Sequence, residues 1–279
     1  MQQTQGHFTG ARDASIFYQY WKPDTDARAV ILIAHGAAEH SGRYQRFAQH
    51  FVGLGYAVAA LDHYGHGHSD GERCCIKAFT DYTDSLEIFR QQVERDFAGL
   101  PVVLLGHSLG GLISTSFLLQ KQDAFVGCIL SGPAIKTELQ PPFLQILLIK
   151  FFSLVAPNMG VLQLDASGVS RDPAEVEKYL NDPLNFSGKL SARLVAELFA
   201  TMDTVQARAA EIFVPMLILH GEADSMAAAE GSRFLHEHIS STDKTLKIYP
   251  GLYHEIFNEP ERLEVFADVE RWLDTLIKN

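Results

Sequence analysis

Positive charge is scarce in this sequence. Its 279 residues include 23 Lys and Arg against 34 Asp and Glu, which gives a formal net charge of −11 at pH 7. Proteins that bind nucleic acid or anionic lipid by bulk attraction need clustered Lys and Arg. We therefore expect no nucleic-acid partner.

Cysteine is also scarce. The chain has three cysteines, Cys74, Cys75 and Cys128, two of them adjacent. An odd number in this arrangement does not suggest a disulfide framework. The first ten residues, MQQTQGHFTG, contain neither the basic nor the apolar region of a signal peptide. These features predict a cytoplasmic protein.

No apolar run is long enough to cross a membrane. The most apolar stretch, PPFLQILLIKFFSLVAP at 141–157, has 14 residues between Pro142 and Pro157, and these include Gln145 and Lys150. A spanning helix needs about 20 apolar residues. The stretch is therefore not a transmembrane segment.

Short apolar runs alternate with segments of helical spacing. The runs lie at 15–21, 29–35, 56–62, 101–106, 126–132, 215–221 and 245–251. The helical segments lie at about 41–54, 81–98, 109–122, 226–239 and 260–277. From residue 29 onward most runs are apolar without alternation, as in strands that are buried on both faces of a parallel sheet. The pattern predicts an α/β fold with a mostly parallel sheet, helices on both faces, and an antiparallel hairpin near 6–10 and 15–21 at one edge.

One interval breaks the alternation. Between 134 and 212 the sequence has helical and loop signals but no convincing strand. The interval is too long for an ordinary connection. We interpret 134–212 as an inserted helical cap, within a single domain whose core is formed by 1–133 and 213–279.

A serine stands between two glycines where a strand gives way to a helix. The run PVVLLG ends at Gly106, Ser108 follows in GHSLG, and a helical segment begins after it. This is the G-x-S-x-G nucleophile elbow, in which the glycines let the chain fold back sharply. The alternative is a structural Gly-Ser turn.

A serine nucleophile needs a base and a carboxylate that orients the base. In this fold they follow the serine in the order acid, then histidine, each in a loop after a strand. Glu222 and Asp224 follow the run at 215–221, and His254 follows the next run. We predict Asp224 and His254 as the partners of Ser108 and expect Glu222 to be solvated or to stabilise the loop.

Other histidines are interpreted as structural. His107 should point away from its neighbour on the elbow, and His220 precedes the acidic loop. His63, His66 and His68 superficially resemble a metal cluster, but no helix holds them on one face. We predict no metal site.

An acyl-transfer site also needs two N–H donors for the oxyanion. One should come from Leu109, directly after the serine, and the other from Ala37 in the loop after the third strand. The alternative for Ala37 is an ordinary strand-to-helix turn.

Five stretches, read together, resemble the monoacylglycerol lipase family of α/β-hydrolases. They are AHGAAEHSGRY (34–44), LDHYGHGHSDGER (61–73), GLPVVLLGHSLGG (99–111), LILHGEAD (217–224) and DKTLKIYPGLYHE (243–255). The cap matches only weakly, through KYLNDPL at 178–184. Bacterial lysophospholipases and esterases share most of these stretches.

The resemblance implies an α/β-hydrolase fold with an eight-stranded sheet. Three positions match the family's catalytic triad: Ser108, Asp224 and His254. Two positions match its oxyanion donors: Ala37 and Leu109. Three match polar residues that line the family's pocket for the glycerol head: Glu39, Arg43 and Tyr179. No metal or organic cofactor is implied.

The sequence departs from the family pattern at three places. Ala38 replaces a glycine of HGAGEH, and Phe257 stands where mammalian members have a histidine that contacts glycerol. Ala227 and Ala228 lie where an acidic residue is common. These departures leave the preference for the head group open, but not the hydrolysis.

The resemblance implies hydrolysis of esters of single-chain lipids, above all of monoacylglycerol to fatty acid and glycerol. A lysophospholipase or a general carboxylesterase of small esters is the alternative. Remoter ones are a cofactor-free haloperoxidase, a C–C hydrolase or a ligand-binding homologue without catalysis. The segment 141–157 could line an acyl tunnel, touch a membrane transiently so that the protein is peripheral there, or form a homodimer interface.

Overall fold

The structure, a computed structural model, describes residues 1–137 and 142–277. Of the apolar segment at 141–157, residue 141 lies outside the described part. One sheet contains the following eight strands: β1 (Gln2–Thr9), β2 (Ser15–Lys22), β3 (Val30–Ala34), β4 (Ala57–Leu61), β5 (Val102–His107), β6 (Gly127–Ser131), β9 (Met216–Gly221) and β10 (Lys244–Tyr249). Their order is β1-β2-β4-β3-β5-β6-β9-β10. β1 and β2 are antiparallel to their neighbours and the other pairs are parallel, which confirms the predicted sheet.

Helices cover both faces of the sheet. They are α1 (Gln45–Gly53), α2 (Thr80–Asp96), α3 (Leu109–Lys121), α4 (Phe143–Val155), α5 (Pro173–Asn181), α6 (Ala192–Arg208), α7 (Ala229–His238) and α8 (Arg262–Leu276). Short 3-10 turns lie at Ala11–Asp13, Ser41–Tyr44, Gln122–Ala124, Ala166–Gly168 and Ala209–Glu211. The apolar faces of α1 and α8 pack in one core, and those of α2, α3, α6 and α7 pack in the other.

The two cores explain why the strand sequences do not alternate. Along β3, Val30 and Leu32 belong to one core while Ile31 and Ile33 belong to the other, and all four are fully buried. A strand between two helix layers has no solvent face, so every position favours an apolar side chain. The uninterrupted apolar runs of the sequence follow from this arrangement.

Between β6 and β9 the chain leaves the sheet. This segment contains α4, α5 and α6, and also β7 (Gly160–Gln163) and β8 (Lys189–Ser191), which form a separate antiparallel pair. The prediction that 134–212 contains no strand is therefore wrong. The two strands have four and three residues, too few for a two-residue period to stand out. We call 134–212 the insertion.

The sheet order brings the loops of the predicted site together. β3, β5, β6, β9 and β10 are parallel neighbours, so the loops at their carboxyl ends meet at one edge of the sheet. The loops after β3, β5, β9 and β10 carry the predicted site residues except Tyr179, which lies on α5. No described helix is long and apolar enough to cross a membrane.

Candidate active site

Ser108 lies at a strained turn between β5 and α3. Its φ is 52° and its ψ is −117°, a backbone conformation that residues with a side chain rarely adopt. A Cβ on Gly106 would come within 2.5 Å of the carbonyl oxygen of Gly110, and one on Gly110 within 1.9 Å of that of Ala34. Both flanking positions therefore require glycine, and the turn has the geometry of a nucleophile elbow.

Asp224 and His254 meet behind the elbow. His254 Nδ1 lies 2.6 Å from Asp224 Oδ2, and both residues are buried. The other carboxylate oxygen, Oδ1, accepts hydrogen bonds from the N–H groups of Met226 at 2.8 Å and Ala227 at 3.0 Å. The carboxylate thus holds the proton of His254 on Nδ1, which leaves Nε2 as the unprotonated ring nitrogen.

Burial and charge oppose each other in this pair. Burial alone lowers the pKa of His254, but the Asp224 carboxylate outweighs it and raises that pKa above its ordinary value. Burial raises the pKa of Asp224, but the charge of His254 and a hydrogen bond from His220 hold it well below its usual range. The carboxylate therefore stays ionised. Glu222 is exposed to solvent, as predicted.

A cavity of about 820 Å³, part of it open to solvent, passes over the serine. Ala37, Ser108, Leu109 and His254 lie in its wall. Its apolar wall comes mainly from the insertion, through Leu162, Leu164, Val169, Leu190, Val195, Leu198, Phe199 and Met202. None of the described residues in its lining belongs to α4. The insertion therefore contributes to the wall through α6, the β7-β8 pair and the segment after β7, whereas α4 packs beside α6.

The loop after β3 is stabilised by hydrogen bonds to one of its own side chains, Glu39. Gly36 N–H donates to Glu39 Oε1 at 2.6 Å, and Tyr44 Oη–H donates to the same oxygen at 2.8 Å. Within residues 1–137 and 142–277, the N–H groups of Ala37 and Leu109 donate no hydrogen bond. Both residues line the cavity at the serine, where a substrate oxygen could accept from them.

Glu39, Arg43 and Glu255 form a buried ion network. Arg43 Nη1 donates to Glu39 Oε2 at 2.8 Å and also to Glu255 Oε1, and its Nη2 donates to Glu255 Oε2 at 2.7 Å. Burial raises the pKa of Glu39, but Arg43 together with the other groups around the carboxylate, among them the Gly36 N–H, outweighs it and lowers that pKa to about 2. The Arg43 guanidinium also lies 4.7 Å from the centre of the Tyr179 ring. The three predicted head-group residues are thus brought together.

Sequence reasoning missed Glu255. It stands directly after His254 and lines both the main cavity and a smaller one, of about 320 Å³, whose wall also contains Glu39, Arg43, Tyr44, Phe47, His107, Phe257 and Asn258. The sequence did contain a signal for Glu255, namely an acidic residue next to the predicted base. A carboxylate that is buried there needs a partner.

Comparisons with known proteins decide the family. A family model described as serine aminopeptidase, S33, matches residues 25–261. The chain is 39% identical over 266 residues to monoacylglycerol lipase of Mycolicibacterium smegmatis, which covers 95% of both proteins. It is 36% identical to monoglyceride lipase of Homo sapiens over 96% of this chain and 89% of the human protein. This chain belongs to the monoacylglycerol lipase family.

A solved structure of the family has the same fold. The crystal structure of Paleococcus ferrophilus monoacylglycerol lipase is 30% identical to this chain and has a TM-score of 0.85, over 94% of this chain and 99% of that one. The α/β-hydrolase fold expected from the sequence is confirmed.

Two departures from the family pattern have structural consequences. Ala38 has a φ of 62°, in the left-handed region that favours glycine. Phe257 is buried against Phe47, with ring centres 5.0 Å apart, and presents an apolar surface to the smaller cavity.

His107 and the His63, His66 and His68 group have other surroundings than the Asp224-His254 pair. His107 Nδ1 donates to the carbonyl oxygen of Ser131 at 2.9 Å, and burial lowers the pKa of His107 to about 4. His63 and His66 are buried beside His35, whereas His68 is exposed. In the described part of the chain, no group of three or more His, Cys, Asp or Glu side chains is arranged to hold a metal ion.

Proposed function

We propose that this protein hydrolyses the ester bond of monoacylglycerols, and releases a fatty acid and glycerol through an acyl-enzyme on Ser108. One observation carries the proposal: Ser108 lies in a cavity whose wall is mainly apolar but also contains Glu39 and Glu255 of the buried ion network. An acyl chain suits the apolar wall, and a short polyol suits the charged groups. Relatives named monoacylglycerol lipase support the same reaction.

Acylation begins with the unprotonated nitrogen of His254. Nε2 takes the Ser108 hydroxyl proton as the oxygen attacks the ester carbonyl. The N–H groups of Ala37 and Leu109 stabilise the oxyanion of the tetrahedral intermediate, together with the N-terminal end of α3. The C–O bond then breaks, and His254 gives its proton to the departing alcohol.

Deacylation repeats these steps with water. His254 takes a proton from water, the hydroxide attacks the acyl carbonyl, and the proton returns to Ser108 as the fatty acid leaves. Asp224 stays ionised and stabilises the imidazolium in both halves. This chemistry uses side chains and backbone N–H groups of the chain, without a cofactor.

The ion network in the wall of the cavity favours a neutral leaving group. Glu39 and Glu255 carry two negative charges against one positive charge on Arg43, whose guanidinium is already held by both carboxylates. A phosphate in this cavity would have to compete with them for Arg43, and would leave a buried carboxylate unpaired. This argues for glycerol, with Glu39, Arg43 and Tyr179 around it, over the anionic head of a lysophospholipid.

The insertion acts as a cap over the core formed by 1–133 and 213–279, and its α4 makes transient contact with lipid. Leu144 is 67% exposed, Phe151 55% and Leu154 73%, an apolar surface unusual for a protein in water. Such a surface would bring the cavity to membranes that contain the substrate. A homodimer through α4 is the alternative.

The proposed function is tested with Ser108→Ala and a panel of esters. We expect fluorophosphonate to label the wild type at Ser108 alone, and the folded variant to lose ester hydrolysis. In one detergent, kcat/KM should be far higher for monooleoylglycerol than for trioleoylglycerol or lysophosphatidic acid. Labelling at another residue would contradict the nucleophile, and comparable rates on the three lipids would contradict the substrate.

A further inference from the structure

His220 contacts the same carboxylate oxygen as His254. It is the penultimate residue of β9 and is fully buried. Its Nε2 lies 3.1 Å from Asp224 Oδ2, and that oxygen lies 2.6 Å from His254 Nδ1. Sequence reasoning treated His220 as structural, yet it reaches the carboxylate that orients the base.

The contacts of His220 fix its tautomer. Nε2 faces two acceptors, Asp224 Oδ2 and the carbonyl oxygen of Ala227 at 3.0 Å, so Nε2 must carry hydrogen. Nδ1 lies 2.7 Å from the hydroxyl of buried Ser232, on α7. That hydroxyl can donate to Nδ1, so a neutral ring has a partner on both sides. His220 therefore carries its hydrogen on Nε2, where it bonds to the carbonyl oxygen of Ala227 and lies close to Asp224 Oδ2.

We infer that His220 is a positioning residue for the reaction. Together with the N–H groups of Met226 and Ala227 on Oδ1, it fixes the rotation of the Asp224 carboxylate so that Oδ2 faces His254. It also draws part of the negative charge of Oδ2 away from His254. This inference rests on the proposed triad.

Loss of the His220 N–H has a definite consequence. The two backbone donors still hold Oδ1, but the third restraint on the rotation of the carboxylate is lost, which lowers kcat, and Oδ2 keeps more negative charge for His254. The imidazolium of His254 is then stabilised more strongly in the free enzyme. The acidic limb of the kcat/KM profile, where His254 becomes protonated and inactive as a base, moves to higher pH.

His220→Leu and His220→Gln test the role. Hydrogen bonds to charged groups are the stronger ones, so we expect His220→Leu to lower kcat roughly tenfold with little change in KM and to shift the acidic limb upward. Gln can place an N–H where Nε2 lies, and should restore much of the activity and return the limb toward the wild-type position. The other ionisable groups acting on His254, namely Glu39, His107 and Glu255, are the same in all variants.

Ile218→Val is the matched control. Ile218 is buried on the same strand and has an apolar side chain, so its variant loses stability without loss of a donor. It should leave the limb in place. If His220→Leu also leaves the limb in place, or moves it to lower pH, the positioning role is overturned.

The double variant Asp224→Asn/His220→Leu separates this inference from the triad. If His220 acts through the carboxylate, His220→Leu should cost little more activity once Asp224 is Asn. If His220→Leu lowered activity equally in the wild-type and the Asp224→Asn backgrounds, the role of His220 would be overturned and the proposed triad would stand. Full activity of Asp224→Asn by itself would instead overturn the proposed triad.

Discussion

The strand-end site and the insertion are built in opposite ways. At the strand ends, Asp224 and His254 are buried, and both oxygens of Asp224 and Nδ1 of His254 are held at hydrogen-bond distance. In the insertion, most of the apolar side chains of α4 that the structure describes lie in solvent, and Arg193 Nε on α6 donates a hydrogen bond to the carbonyl oxygen of Ser153 on α4 at 3.0 Å. The strand-end site holds particular atoms in place, whereas α4 of the insertion exposes an apolar surface.

The difference separates two kinds of expected defect. Chemistry depends on distances within about 0.5 Å, which only a packed and hydrogen-bonded frame maintains. Recruitment of a lipid depends on apolar area, which tolerates movement. Changes at the strand ends should therefore lower kcat on every substrate, whereas changes in α4 should matter only when the substrate lies in a lipid phase.

The largest expected effect is that of Asp224→Asn. An amide cannot hold the His254 proton on Nδ1 or stabilise the imidazolium, and comparable changes lower kcat by about 10⁴. Glu222→Gln is the control, because Glu222 is two residues away and exposed; it should stay within about threefold of the wild type. Steady-state kinetics on a soluble ester measure both. A greater loss from Glu222→Gln would contradict the choice of acid.

The pH profile should also reflect the buried pair. The Asp224 carboxylate raises the pKa of His254, and only the unprotonated ring acts as base. As the pH falls through this raised pKa, kcat/KM should drop by about tenfold per unit, starting above the ordinary histidine value of about 6.5. The test needs a substrate for which the chemical step limits the rate. If the acidic limb of kcat/KM then lies below that value, the Asp224 carboxylate does not set the pKa of His254.

The two regions also differ in what the sequence could predict. GHSLG predicts the elbow because Gly106 and Gly110 have no room for a Cβ, a local requirement that is visible in the residues. The sequence did not predict β7 and β8, because the formation of such short strands depends on tertiary partners. Glu255 and His220 were missed as site residues because their roles come from contacts with Arg43 and Asp224 that sequence spacing does not reveal.

A smaller effect is expected from the apolar surface of α4. Leu144→Ser and Leu154→Ser each remove an apolar side chain that could enter a lipid phase. Full burial of such a side chain contributes up to about 1.5–3 kcal/mol to the free energy of transfer from water. Partial insertion should lower kcat/KM on monooleoylglycerol in vesicles roughly fivefold, with no change on a soluble ester. Leu263→Ser is the control, since Leu263 is 66% exposed but lies on α8.

Sedimentation tests whether α4 forms a homodimer interface instead of contacting lipid. A wild-type dimer that the α4 variants convert to monomers would assign the surface to a homodimer interface. Equal losses from Leu144→Ser and Leu263→Ser on vesicles would show that α4 has no special part in lipid contact.

The smallest expected effect is that of Ala38→Gly, which restores the residue of the family pattern. Three contributions to the free energy of unfolding nearly cancel. Relief of the left-handed conformation at φ 62° favours glycine by about 1–2 kcal/mol. Greater freedom of glycine in the unfolded chain opposes it by about 0.5–1 kcal/mol, and loss of a buried methyl group opposes it by about 0.8 kcal/mol.

We therefore expect urea unfolding of Ala38→Gly to differ from the wild type by less than about 1 kcal/mol. Activity should be unchanged, because the loop is held by the contact of Gly36 N–H with Glu39 and not by the Ala38 side chain. Ala38→Val is the contrasting variant, since a β-branched residue is a steric outlier at this φ. It should lose stability and, as the neighbouring Ala37 N–H moves, also kcat. A fall in kcat for Ala38→Gly alone would show that the methyl group, rather than Glu39, sets the position of the oxyanion donor.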